Sequence, residues 1–297
     1  MSGHMSTTST TTTSKTLESF ITDCIVRQLS QNTITSYRRI LGQFTDWSKD
    51  AVMEQVDTAL LRDYIRELQE TGHNPGGVHL HYRYLRTFLL WYELETDGGY
   101  RSPTHKVKAP KVNREPLEPV SMEHVKALLK TCDRTLLDIR DRALITILVD
   151  TGARARELMH AKIEQVDVTM GSIRVLGKGS KTRTLYLGTT ARRALYQWNR
   201  VRPDSPYLFT NKQGVRLGYD GLVKMLNKRA KMAGIPKPKT HAFRRCYALS
   251  MLRAGTDIFT LAKLLGHSNT RTLEHYIKLD YSDMEQAQRV NSVADRL

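Results

Sequence analysis

The run Thr240-His241-Ala242-Phe243-Arg244, followed by Leu265-Gly266-His267 and then by Tyr276, decides how the rest of the chain is read. Thr240 is a favoured N-cap residue, so the spacing predicts a helix that opens there with His241 and Arg244 three positions apart on one face. Gly266 follows the apolar Leu261, Ala262, Leu264 and Leu265, where a glycine commonly ends a helix in a left-handed turn and would hold His267 at the exposed end. Tyr276 stands nine residues further on. A guanidinium fork, two imidazoles and a phenol are suited to binding a phosphodiester and attacking it, and none of them needs a metal.

Two upstream stretches extend the pattern: Thr151-Gly152-Ala153-Arg154-Ala155-Arg156-Glu157 and Gly177-Lys178-Gly179-Ser180-Lys181-Thr182-Arg183. Taken with the C-terminal residues, they resemble the signature of the tyrosine recombinases, the phage-integrase family. That signature runs Thr-Gly-x-Arg-x-x-Glu, a Gly-Lys-Gly-x-x-x-Arg hairpin, His-x-x-Arg, Gly-His and a nucleophilic Tyr. Each pattern alone is a weak signal, whereas the collinear set over residues 151–276 is specific. The chain departs from the family at Arg245, where His is frequent, and at Arg156, where a small hydroxyl residue is common. Neither departure replaces a catalytic candidate.

Composition bounds the partners. The 297 residues leave room for about two domains with a sizeable core. With 46 Lys+Arg against 30 Asp+Glu, a net charge of +16 and 40% hydrophobic residues, the chain calls for a polyanionic partner rather than disorder. Nucleic acid ranks first and an acidic membrane surface second. No run of about 18 apolar residues and no signal-peptide core occurs, so a soluble, cytoplasmic protein is expected. Cys24, Cys132 and Cys246 are odd in number and far apart, which fits reduced thiols better than disulfides or a zinc site. Neither a cofactor nor a metal is expected.

The expected fold class is mainly α, with two domains. Residues 1–5 read as a tag and Thr7–Ser14 as too polar to pack, so residues 1–14 are set aside as a disordered tail. Apolar residues at helical spacing, among them Leu17, Phe20, Ile21, Phe44, Leu61 and Leu68, predict a helical bundle over 15–100, its last helix running from about Pro75 to Leu94. Pro103, Pro110, Pro116 and Pro119 among lysines predict an extended basic linker over 101–119. Residues 120–282 read as a mostly helical second domain with a small antiparallel sheet from 165–168, 172–176 and 182–187, Lys178 lying at the turn. The apolar stripe Met284, Ala287, Val290, Val293, Ala294 and Leu297 predicts a closing helix over 283–297 that packs on its own domain or docks elsewhere.

The resemblance assigns roles to these parts. It implies an N-terminal core-binding domain on the DNA, a catalytic domain opposite it, and a C-terminal segment docked on a neighbouring protomer. Arg154 and Arg244 would stabilise a pentavalent phosphorane. Tyr276 would be the nucleophile, giving a covalent 3′-phosphotyrosyl enzyme and a free 5′-hydroxyl, with Tyr247 and Tyr281 as its nearest rivals. His241 and His267 would bind phosphoryl oxygens, His241 also helping to deprotonate the tyrosine. Lys178 would protonate the leaving 5′-oxygen, Lys181 being the fallback, and Glu157 would brace Arg154. Arg38, Arg39, Arg83, Arg86, Lys106, Lys108, Lys111, Lys181, Arg183 and Arg245 are candidate DNA contacts. The plain alternatives are a solvated helix face for the bundle arginines and a spacer for the linker lysines.

The function implied is site-specific recombination: integration, excision or resolution of DNA, including mobile elements and transposition. The partners implied are double-stranded DNA with specific recombination sites, further copies of the chain forming a tetramer at synapsis, and accessory DNA-bending proteins. No membrane is implied, and the location becomes nucleoid-associated. The readings to weigh against it are a type IB topoisomerase or telomere resolvase with the same chemistry, and a DNA-binding protein without catalysis.

Overall fold

A computed structural model describes residues 11–97, 99–112, 118–177 and 182–266, together with 288, 289, 292 and 294. The chain divides into two units, Met1–Glu115 and Pro116–Leu297.

The first unit is built from α1 (Thr13–Val26), α2 (Gln31–Trp47), α3 (Thr58–Glu70) and α4 (Pro75–Glu95). The starts of the last three are written locally. Ser30, Asp57 and Asn74 accept hydrogen bonds from the N–H groups of Thr33, Leu60 and Gly77, satisfying donors that a first helical turn leaves open. Pro75 sits where its missing N–H costs nothing. The apolar stripes meet in a core that includes Phe20, Ile21, Leu41, Phe44, Leu61, Leu85 and Leu89. Each such side chain contributes roughly 1.5–3 kcal/mol by leaving water.

Two parts of this unit differ from the sequence reading. Helix α1 begins inside the Ser/Thr run that composition had set aside, because Asp50 supplies the acceptor its first turn needs. The Ser14 N–H donates to Asp50 Oδ1 at 2.8 Å, and the Ser14 and Thr13 hydroxyls donate to the same carboxylate at 2.9 and 3.1 Å. Residues 101–112 also fold against this unit instead of extending as a linker. Pro103–His105 forms a 3-10 turn, and Ser102, Thr104 and Val107 are buried. The Tyr82 hydroxyl donates to the Val107 carbonyl at 2.6 Å and the Tyr100 hydroxyl to that of Val56 at 3.0 Å. Prolines forbid a long helix here but leave carbonyls for side chains to bind.

The second unit holds α5 (Met122–Lys130), α6 (Leu136–Thr151), α7 (Ala155–His160), β1 (Val166–Asp167), β2 (Ser172–Leu176), β3 (Thr182–Tyr186), α8 (Thr189–Val201), α9 (Tyr219–Ala233), α10 (Thr240–Arg253) and α11 (Ile258–Leu265). The strands form one antiparallel sheet in the order β1-β2-β3, with Val175 opposite Arg183 and Leu176 opposite Thr182. β1 is shorter than expected because Ile163–Gln165 closes into a 3-10 turn before it. Helix α6 is buried nearly all round. It is fixed at its start by a reciprocal Thr135/Asp138 capping box and at its end by Gly152, whose φ of 57° is left-handed. The resulting mainly helical architecture with one small sheet is the expected fold class.

An ionic network ties α9 to α6 inside this unit. Arg229 pairs with Asp138 at 2.5 Å and Asp141 at 2.6 Å, Arg140 pairs with Asp141 at 2.6 Å, and the arginines also donate to the carbonyls of Thr131 and Thr210. Burial alone would raise the Asp138 carboxyl, but hydrogen bonding to Arg229 holds it down to about 2. Sequence reading missed this network, since nothing local marks a charged residue as buried.

Candidate active site

The site grows from the end of α6. Gly152 turns the chain in a left-handed conformation, and a Cβ there would stand 2.6 Å from Tyr247 Cδ1 and 2.8 Å from Leu265 Cδ2. Glycine is therefore required twice, for its φ and for the close approach. Two residues later Arg154 occupies the N-cap position of α7. Glu157 accepts from the Arg154 backbone N–H at 2.8 Å and from its Nη1 at 2.9 Å, so one carboxylate fixes both the turn and the guanidinium.

Helix α10 brings the second pair. Thr240 is its first helical residue rather than its cap, which is Lys239, and no side chain caps the end. The Thr240 side chain is buried and its hydroxyl lies 3.5 Å from that of Tyr219, so it is directed away from its own helix. The helical spacing of His241 and Arg244 is unaffected by this difference. Both line a pocket of about 260 Å³ together with Arg154, Arg156, Tyr219 and Thr240.

Arg244 is only 1% exposed. Its Nη1 donates to the Gly152 carbonyl at 2.8 Å and its Nη2 to the Leu265 carbonyl at 2.6 Å. Arg154 Nη2 reaches the Gly266 carbonyl at 3.4 Å, and Arg183 Nη1 donates to the Leu264 carbonyl. Three consecutive carbonyls at the end of α11 are thus received by three guanidinium groups from three elements. A helix C-terminus offers orphan acceptors and partial negative charge, which offsets the repulsion among the cations. Arg183 completes the cluster by pairing with Glu157 at 2.7 Å. Burial alone would raise the Glu157 carboxyl, but Arg183 and Arg154 hold it below the ordinary carboxylate range.

His241 stands exposed at the pocket. Desolvation of its ring, and then the charges of Arg244, Arg245 and Arg154, push its pKa below the usual imidazole value. A neutral imidazole at neutral pH can accept a proton.

The remaining predicted residues fall into three groups. His267, Tyr276, Lys178, Lys181, the rival Tyr281 and the greater part of the expected helix over 283–297 lie outside the described residues. Three candidate DNA contacts are engaged within the protein. Arg183 is held by Glu157 and Leu264, Arg245 is buried with Nη1 on the Glu118 carbonyl at 3.1 Å, and Arg38 pairs with Glu18 at 2.6 Å. The N–H groups of the first two that meet these partners are committed within the protein, the Arg183 side chain being 11% exposed and Arg245 9% exposed. Arg39, Arg83, Arg86, Lys106, Lys108 and Lys111 are exposed on the first unit. Tyr247 is half-buried against Gly152, and burial, then the Asp150 charge, raises its pKa, which disfavours the phenolate a nucleophile needs. Cys24, Cys132 and Cys246 are buried free thiols.

Sequence reasoning missed Tyr219. Its ring lies 5.9 Å from the Arg156 guanidinium at the pocket, and no local signal distinguishes it from the other tyrosines. Among the described residues no helix is long and apolar enough to cross a membrane.

The fold has known counterparts. Residues 119–283 match the phage integrase family, and residues 17–91 match the phage integrase N-terminal SAM-like domain. Tyrosine recombinase XerC of Actinobacillus succinogenes is 30% identical over 272 residues, covering 88% of this chain and 90% of its own. Tyrosine recombinase XerD of Oceanobacillus iheyensis is 30% identical over 279 residues, covering 89% and 94%. Among solved structures, the Tn1549 transposon integrase in complex with transposon right end DNA superposes with a TM-score of 0.80 at 17% identity, covering 95% of this chain and 100% of that one. The XerH site-specific recombinase bound to palindromic difH substrate superposes with a TM-score of 0.71 at 20% identity, covering 95% and 85%. At these identities the structural likeness speaks for the fold.

The architecture is that of the DNA strand breaking and rejoining enzymes. This chain belongs to the phage integrase family, the tyrosine recombinases, and its activity is site-specific recombination.

Proposed function

We propose that the protein cuts and reseals duplex DNA through Tyr276. The phenolic oxygen forms a bond to phosphorus as the P–O5′ bond breaks, leaving a 3′-phosphotyrosyl link and a free 5′-hydroxyl. Attack by the 5′-hydroxyl of another strand reverses the step, so the bond energy is conserved. One observation carries this reading: Arg154, Arg244 and His241 line a single pocket, and the two arginines donate to the carbonyls of Gly266 and Leu265, the two residues that precede His267 in the sequence. Arg154, whose side chain stays 30% exposed, offers N–H donors to the non-bridging oxygens, where charge grows in the phosphorane. The N–H groups of Arg244 beyond those held by the Gly152 and Leu265 carbonyls add to them. His241, held neutral, accepts a proton, His267 donates to a phosphoryl oxygen, and Lys178 protonates the leaving 5′-oxygen. Glu157 keeps Arg154 in place.

The partner is double-stranded DNA carrying specific recombination sites, as the net charge of +16 favours and as the binding of the XerH site-specific recombinase to its difH substrate supports. Residues 15–100, with 101–112 folded against them, act as the core-binding domain ahead of a catalytic domain over 120–282. Arg39, Arg83, Arg86, Lys106, Lys108 and Lys111 meet phosphates at the surface. Exchange between two duplexes calls for a tetramer at synapsis, with residues 283–297 docked on a neighbouring protomer, and accessory DNA-bending proteins select the direction. The compartment is the cytoplasm, at the nucleoid.

The decisive experiment is Tyr276→Phe, which removes only the attacking oxygen. The variant is expected to bind site DNA as the parent does and to form no SDS-resistant protein–DNA adduct. An adduct formed by the variant would reject Tyr276 as the nucleophile.

A further inference from the structure

We propose that Arg156, seated on the ring of Tyr219, binds the phosphodiester next to the scissile one on the cleaved strand. The proposal rests on the reading of the pocket as the site of the scissile phosphate. Arg156 and Tyr219 line that pocket together with Arg154, His241 and Arg244. The Arg156 guanidinium lies over the Tyr219 ring, 5.9 Å from its centroid. Both residues are exposed. No acidic side chain is among the described residues that line the pocket.

Arg154 and Arg156 are held in different ways. Residues two apart on one helix point away from each other. Here Arg154 is the N-cap, in extended backbone with φ −69° and ψ 136°, and Arg156 belongs to the first turn of α7, so both side chains reach one pocket. Arg154 donates to the Glu157 carboxylate and the Gly266 carbonyl. Among the described residues no carboxylate pairs with Arg156, and its guanidinium meets the Tyr219 ring instead. A cation over an aromatic face is attracted by the ring's quadrupole and spends no N–H donor on it, which keeps its fork available to an anion.

Two cations on one pocket wall suit two successive phosphates. Cα atoms two residues apart stand at most about 7 Å from each other, and the phosphates of one strand follow every ~3.4 Å along the duplex axis. A phosphate bound by Arg154 therefore leaves its neighbour within reach of a guanidinium carried two residues further on. Tyr219 is the positioning residue for that guanidinium. It restrains a long, exposed side chain before DNA arrives, so less freedom is lost on binding. Its hydroxyl lies 3.5 Å from that of Thr240, the first residue of the helix that carries His241 and Arg244, which sets the ring beside the groups that meet the scissile phosphate.

The test measures equilibrium binding of the full chain to a duplex with the sequence recovered from the parent's covalent adduct. Each phosphate of the cleaved strand around the cut is replaced in turn by an uncharged methylphosphonate. The parent is expected to lose about tenfold in affinity when a phosphate adjoining the scissile one is neutralised. Arg156→Gln is expected to lose about tenfold on unmodified DNA and to show no further loss at that one position. Its slope of log affinity against log salt should be shallower by about 0.9. Tyr219→Leu should lose about threefold and Tyr219→Phe nothing, and adding Tyr219→Leu to Arg156→Gln should cost nothing more. Parent-like binding by Arg156→Gln, or methylphosphonate losses that it retains at both adjoining positions, would overturn the proposal. A full additional loss in the double variant would remove Tyr219 as the seat. The same scan with Arg154→Gln is expected to be silent at the scissile phosphate. If it is silent there and Arg156→Gln is not silent beside it, this proposal alone falls. If Arg154→Gln is silent elsewhere, or the parent forms no adduct, the reading of the pocket falls with it. Arg156→Ala carries the same test should Arg156→Gln not fold.

Discussion

Arginines of the two units look alike in sequence and are used in opposite ways. Arg39, Arg83 and Arg86 stand exposed on the helices of the first unit. Arg140, Arg229 and Arg244 of the second are buried, and carboxylates or backbone carbonyls receive their N–H groups. Taking a cation out of water costs several kcal/mol unless nearly every donor finds a partner, so a buried arginine dictates the shape of what surrounds it. An exposed one dictates little and keeps its donors accessible to a phosphate. The difference teaches that these three arginines organise the interior of the second unit, whereas those of the first unit decorate its surface.

The hardest blow to the pocket is one methyl group at its foundation. Gly152→Ala adds a Cβ at a φ of 57° and within 2.8 Å of both Tyr247 and Leu265, whose carbonyl receives Arg244. The expected loss is about 3 kcal/mol of stability, from left-handed backbone cost and overpacking together, with a fall in adduct formation. Denaturant titration and an SDS-gel adduct assay measure the two effects. A variant as stable and active as the parent would show that the arginine cluster tolerates movement and that the contrast between the units is weaker than drawn.

In the first unit the largest effect should come from protons. His81 is buried and hydrogen-bonded to the Tyr64 hydroxyl at 2.9 Å. Desolvation, then the charges of His73 and Arg39, lower its pKa from 6.5 to about 4. A folded-state pKa below the unfolded value means that the unfolded chain binds the proton first. The contribution of the neutral ring is thus complete above pH 6.5 and is lost as pH falls toward 4. The shift corresponds to about 3 kcal/mol, and His81→Gln should flatten this part of the stability profile. An identical profile for parent and variant in equilibrium unfolding would remove His81 as the cause.

The smallest effect is expected at the exposed lysines, and it sharpens the other side of the comparison. Replacing Lys106, Lys108 and Lys111 by Gln should leave stability within about 0.5 kcal/mol. It should also reduce the slope of log affinity for duplex DNA against log salt by up to about 2.7. An unchanged slope would show that these lysines do not neutralise phosphates.

The same contrast explains what could be read in advance. The helices of the first unit are visible as apolar periodicity with Ser30, Asp57 and Asn74 at their starts, because those signals act within one helical turn. The beginning of α1 escaped notice because its acceptor, Asp50, lies 36 residues from Ser14. The packing of residues 101–112 escaped because it depends on hydroxyl groups elsewhere in that unit. In the second unit, Arg154, His241 and Arg244 were legible from motif order, and Tyr219 was not, since a packing tyrosine and a pocket tyrosine have the same local surroundings.

The sequence by itself determined the elements, the family and the residue types available for phosphoryl chemistry, because propensity, periodicity and motif spacing are properties of neighbouring residues. Only the tertiary structure decided which cations face outward and which are locked inside. Arg183 and Arg245 read as DNA contacts by charge, and the structure sets the partly exposed Arg183 on Glu157 and Leu264 and buries Arg245 against the Glu118 carbonyl. The reason is physical: a guanidinium carries the same charge wherever it stands, and whether it binds a phosphate or a carbonyl depends on acceptors that distant parts of the chain deliver to it.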